Sequence, residues 1–86
     1  MSVYVDQPVC PYRGMLMCHM YADSLDELHA MADQIGIQRK WFQDHPKLPH
    51  YDICKSKRAH AIRLGAVESD RRHLVAMMRR TSPRGT

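Results

Sequence analysis

The run Met15-Leu16-Met17-Cys18-His19-Met20-Tyr21-Ala22 constrains this chain more than any other stretch. Eight nearly unbroken apolar residues are too few for most core helices and too many to leave in water, so they read as a central strand covered on both faces. The segment Asp23-Ser24-Leu25-Asp26-Glu27 follows at once and opens a helix. Ser24 reads as its N-cap, Glu27 completes a capping box, and the acidic side chains lie near the positive end of the helix dipole. Leu25, Leu28, Ala32 and Ile35 make one apolar stripe with Met31 beside it, and Gly36 stands at the C-terminal cap position. A period of two puts His19 on the strand face of Met15, Met17 and Tyr21, with Leu16, Cys18, Met20 and Ala22 on the other. There His19 is either a satisfied core residue or a ligand or base, and the pattern leaves both open.

The remaining elements are arranged around this pair. Ser2 to Asp6 alternates with β-branched residues and reads as a first strand, with Asp6 either a turn residue or a site residue at its end. Gln7 to Gly14, carrying Pro8, Pro11 and Gly14, reads as an irregular loop with Tyr12 and Arg13 at its tip. Ile37 to Phe42 is expected to be a strand parallel to its predecessor through a right-handed crossover. Gln43 to Pro49 is a loop and the expected mobile rim of any site. Ser56 caps a second helix that ends at Gly65 and buries Ala59, Ile62 and Ala66; Ala66 to Glu68 adds a short strand; Ser69 caps a third helix with Leu74, Val75 and Met78 inward. The expected architecture is a small α/β two-layer fold, a mixed sheet with about three helices packed mainly on one face. Residues 1–80 form a single domain and 81–86 a disordered tail.

Two clusters carry chemistry. In Pro49-His50-Tyr51-Asp52-Ile53, an extended backbone with Tyr51 and Ile53 in a core sends His50 and Asp52 together to the opposite face, where they can share a metal ion or a substrate proton. The plainer reading is a surface loop that caps the following helix. Candidate catalytic residues are His50, Asp52 and His19, and candidate metal ligands are Asp6, His19, His50 and Asp52. His29, at the edge of the first helix's stripe, either reaches over the sheet or rests half exposed. The second cluster is Arg39, Lys40 and the single Trp41, suited to neutralising phosphate and stacking a base, although the expectation for Trp41 itself is a core plug. Lys55, Lys57 and Arg58 crowd the start of the second helix, where cations oppose the dipole unless an anion sits there, and complete the nucleic-acid or anion-binding set.

Composition narrows the class further. The core must come from Met, Leu, Ile, Val and Ala, since 7% of the 86 residues are aromatic and seven are Met. A net charge of +4 and a pI near 9.2 favour polyanionic partners without forming an arginine-rich arm. Three cysteines, Cys10, Cys18 and Cys54, fit neither a zinc knuckle nor a disulfide framework and read as reduced thiols. No run approaches the ~20 apolar residues of a membrane span, and no signal sequence opens the chain. A soluble, cytoplasmic protein with no membrane partner is expected.

The strings Val3-Tyr4-Val5-Asp6, Cys18-His19, Asp23 with Glu27-Leu28-His29-Ala30, Arg39, His50-Tyr51-Asp52 and Gly65-Ala66-Val67 resemble the bacterial and bacteriophage family called domain of unknown function 4031. The resemblance covers nearly the whole chain. It implies bacterial or phage origin and a shared polar set of Asp6, His19, His29, His50 and Asp52, and it assigns no activity. The reading placed first is therefore a basic accessory module, without chemistry, that acts on nucleic acid or on a host protein such as a defence factor. The alternative is a metal-dependent phosphodiester hydrolase built on the His/Asp cluster. No cofactor is required beyond a possible divalent metal.

Overall fold

The computed structural model describes residues 2–8 and 10–81. The chain runs β1 (Val3–Val5), β2 (Cys10–Tyr12), β3 (Met15–Ala22), α1 (Leu25–Gln34), a 3-10 turn at Arg39–Trp41, β4 (Tyr51–Cys54), α2 (Lys55–Arg63), β5 (Val67–Glu68) and α3 (Arg71–Thr81). Thr81, placed in the tail by sequence, closes α3, and the rest of that tail lies outside the described residues.

The apolar run forms β3, the centre of a five-stranded mixed sheet. Met17 pairs with Cys10 on one side and Cys54 on the other, and Met20 likewise with Val5 and Tyr51, so β1 and β2 share one edge of β3 while β4 takes the opposite edge. All three pairings are antiparallel, and β5 extends the sheet parallel to β1. Between the pairs Val5↔Met20 and Cys10↔Met17, the chain from β1 to β2 takes five steps against three on β3.

One face of the sheet presents Val3, Val5, Cys18, Met20, Tyr51 and Ile53 to Leu28, Met31, Ala32 and Ile35 around α1 and to Ala61 of α2. Each fully buried aliphatic side chain there contributes about 1.5–3 kcal/mol. On the other face Tyr21 and Leu48 pack with Leu74 and Met77 of α3. Two helices thus make the main second layer, and α3 covers one end of the opposite face.

Several expectations are corrected. The stretch read as an irregular loop contains β2, which pairs Pro11 with Leu16. A proline is compatible with an edge strand, and Arg13 and Gly14, at φ +50° and +79°, make the two-residue turn that matches strand twist. Residues 37–42 are not a strand. Their backbone N–H groups close local turns, Ile37 to Ala32 O, Trp41 to Gln38 O and Phe42 to Arg39 O, and Ile37 and Phe42 pack on the core from either side of a 3-10 turn. The expected crossover strand is absent, and the parallel pair is β1 with β5. Trp41 is no core plug: it stands 58% exposed. Leu25 is exposed, so the inner stripe of α1 is Leu28, Met31, Ala32 and Ile35. Cys54 rather than Ser56 precedes α2, which buries Ala61 rather than Ala59. Asp70 rather than Ser69 caps α3, its Oδ1 accepting the His73 N–H at 2.9 Å.

Candidate functional site

β4 alternates as its sequence requires. Tyr51 and Ile53 are 0% exposed beneath α1 and α2, which leaves His50 and Asp52 on the opposite face. His19 stands directly across from Asp52 on β3. Asp6, one residue beyond β1, donates its backbone N–H to His19 O at 3.2 Å. Asp6, His19 and Asp52 therefore make a row across three neighbouring strands, with His50, the residue before β4, diagonal to His19.

Hydrogen bonds fix the direction of both imidazoles. His19 Nδ1 lies 2.8 Å from Asp6 Oδ2, and Asp6 Oδ1 accepts the His19 backbone N–H at 2.7 Å. His50 Nδ1 lies 2.8 Å from the Leu48 carbonyl. A carboxylate and a carbonyl have no hydrogen to give, so in each ring Nδ1–H is the donor and Nε2 carries the lone pair when the ring is neutral. His50 Nε2 is 3.5 Å from Asp52 Oδ1, and the rings meet edge-on with centroids 5.1 Å apart. One donor atom each from His19, His50 and Asp52 lies within 4.8 Å of the other two. Tetrahedral donors about 2.1 Å from an ion stand roughly 3.4 Å apart. The 3.5 Å His50–Asp52 spacing fits this, and the His19 donor lies within 4.8 Å of both.

Electrostatics follow from this packing. Burial alone would depress the pKa of His50, but the hydrogen bonds to Asp52 and to the Leu48 carbonyl, with the charges of Asp52 and Asp6, outweigh it and raise the value above the ordinary 6.5. The hydrogen bond from His50 holds Asp52 below its ordinary 3.8 against partial burial, helped by the charges of His50 and His19.

His19 and Asp52 line a cleft of about 710 Å³, together with Cys54, Lys57, Arg13 and Trp41 among others. Cys54, by sequence one of three reduced thiols, falls two residues after Asp52, which on a strand is the signal for a shared face. Its thiol pKa is lowered, first by the Ser56 hydroxyl at 3.2 Å and then by backbone N–H groups opening α2.

The other expected site residues separate. Asp6 stands behind His19 as its hydrogen-bond partner, with both carboxylate oxygens engaged, rather than beside it as a fourth ligand. His29 belongs to the helix-covered face, where its Nδ1 meets the Tyr51 hydroxyl at 2.7 Å. Arg39 pairs with Asp33 at 3.0 Å, and Lys40 Nζ lies 5.3 Å from the Trp41 ring centre. Lys57 caps α1 through the Ile35 carbonyl at 2.7 Å, Arg58 binds the Asp6 carbonyl and Glu68, and Lys55 is exposed. Of the six anion-binding candidates, Trp41 and Lys57 line the same cleft. Among the described residues no helix is long and apolar enough to cross a membrane.

No curated protein and no solved structure matches the chain. The model of one protein family, described as "Protein of unknown function (DUF4031)", matches residues 3–81.

Proposed function

The chain belongs to this family of unknown function, and since membership brings no activity with it, we propose one from the site: His19, His50 and Asp52 hold a divalent transition-metal ion that assists hydrolysis of a phosphodiester. One observation carries this reading. Both Nδ1 atoms are committed to pure acceptors, which leaves Nε2 of each neutral ring as the metal-capable atom, and donor atoms of His19, His50 and Asp52 gather within 4.8 Å of one another, which is how proteins prepare histidine for a metal. Two imidazoles and one carboxylate suit zinc, iron or manganese and leave coordination positions for water and substrate. The ion would polarise the phosphoryl group and acidify the attacking water. Asp6 holds His19 in the binding tautomer, and the Leu48 carbonyl does the same for His50. Lys57 and Arg13, on the walls of the cleft, bring positive charge to the phosphate oxygens.

The reading as a basic module for nucleic acid or a host protein is supported by the exposed Trp41 beside Lys40. It is weakened because Arg39 and Arg58 already hold protein acceptors. Elemental analysis of the untagged protein, followed by titration of the metal-stripped form with zinc, manganese and cobalt, separates the two. One equivalent bound by the parent protein and lost in His19→Ala and His50→Ala is expected. A parent that binds none of the three ions overturns the metal site.

A further inference from the structure

On the reading that His19, His50 and Asp52 hold a cation, we infer that the substrate is single-stranded nucleic acid, gripped with one base stacked on Trp41 and its phosphodiester carried to the His19 and Asp52 side of the cleft. The starting point is where Trp41 stands. An indole offers one of the largest apolar surfaces in any protein, and this one stays 58% exposed because residues 37–42 turn locally instead of joining the sheet. Its ring lines the same cleft as His19 and Asp52. Lys40 Nζ, 5.3 Å from the ring centre, adds positive charge beside it.

The rest of the lining matches one kind of molecule. Met15 and Met17 give an apolar wall, while Arg13 from the β2–β3 turn and Lys57 from α2 bring cations from two separate elements. A ligand with flat apolar rings joined by singly charged phosphodiesters satisfies both, since the ring meets indole and methionine and the phosphate meets lysine, arginine and the ion. A peptide lacks the regular anions. A duplex keeps its base faces covered by stacking and would have to unstack a base first. A free mononucleotide could stack, but it has no phosphodiester to cleave, and a cleft of about 710 Å³ lies in the upper part of the range of small-ligand sites. The net charge of +4 acts in the same direction over longer range.

Because Trp41 is the single tryptophan of the chain, its fluorescence reports the contact directly. The full chain, metal-stripped and then loaded with manganese, is titrated with a short oligothymidylate, an oligouridylate, a duplex of equal length and thymidine monophosphate. Saturable quenching by either single strand is expected, at least tenfold tighter than by the duplex or the monophosphate. Affinity should fall roughly sevenfold between about 50 and 200 mM salt if two phosphates are neutralised. Trp41→Ala, followed by anisotropy of a labelled oligonucleotide, should lose at least tenfold in affinity with an unchanged melting temperature. Equal binding by Trp41→Ala, absence of quenching, or a monophosphate that binds as tightly as the oligonucleotide overturns the proposal. Metal loading is measured on the same samples. A chain that takes up one equivalent of metal but does not quench has lost the substrate class alone, and one that quenches without taking up metal has lost the metal centre that the proposal presupposes.

Discussion

Replacing Asp6 with Asn tests the logic of the site at the point where charge, hydrogen bonding and tautomer meet. In the native arrangement Asp6 Oδ1 accepts the His19 backbone N–H at 2.7 Å, and Oδ2 accepts Nδ1–H at 2.8 Å. Asparagine fills the same volume but has only one acceptor. If its oxygen keeps the backbone N–H, its NH2 faces Nδ1, which must then give up its proton and become the acceptor. The proton moves to Nε2 and points into the space where the ion would bind. If the amide flips instead, two donors face each other across a buried contact. Loss of a hydrogen-bond partner behind a metal-ligating histidine costs roughly 10–100-fold in affinity, about 1.4–2.8 kcal/mol. Competition against a chromophoric chelator reads this loss, and imidazole nitrogen-15 shifts read the tautomer. The folding cost, about 1–3 kcal/mol for one compromised buried hydrogen bond, is measured separately by urea titration. Asp6→Asn binding metal as tightly as the parent, while His19→Ala fails to bind, refutes tautomer control. A His19→Ala variant that binds like the parent refutes His19 as a ligand.

Three further outcomes are expected. Ile53→Ala opens a cavity beneath α1 and α2, where the side chain is 0% exposed, and should cost about 2–5 kcal/mol in urea unfolding; a cost under 1 kcal/mol contradicts the packing. Trp41→Ala should stay within about 0.5 kcal/mol of the parent, whereas a core tryptophan would cost about 3–5 kcal/mol. The third concerns pH. The raised pKa of His50 contributes stability that is complete below 6.5 and fades as pH rises through the raised value, and the lowered pKa of Asp52 contributes stability that is complete above 3.8 and fades as pH falls through the lowered one. The difference in stability between parent and Asp52→Asn should therefore be largest between those two pH values. It should be small, because the Asp52 side chain is 47% exposed and solvent screens the pair; a flat difference from pH 3 to 8 contradicts the coupling.

What could be read from sequence was what local rules decide. β3 and α1 carry their own period and cap, and the sheet had only to accept them. The facing of His50 and Asp52 followed from alternation, since burying Tyr51 and Ile53 leaves the neighbours one direction. The meeting of His19 with Asp52 depended on strand register, which no local pattern states. β2 was hidden because Pro11 reads as a breaker unless the strand is known to lie at an edge. Ile37 to Phe42 has strand-like composition, yet the end of α1 and the short path to the core make turns the better use of its backbone donors. Arg58 looked like a phosphate clamp from its neighbours in sequence, and tertiary contact with the Asp6 carbonyl and Glu68 gives it another task.

The row of Asp6, His19 and Asp52 runs across three strands whose residues are far apart in the chain, and this makes ligand occupancy a property of the folded state alone. A short fragment or a half-zipped hairpin would hold one donor, at most two. Mass action then makes any tight ligand of the row a folding cofactor: at a hundred times its Kd it adds about 2.7 kcal/mol, a large share of the stability a domain of 86 residues can have. The abundance of such a chain in a cell would track the supply of that ligand, with the unliganded fraction being the one that opens and is degraded.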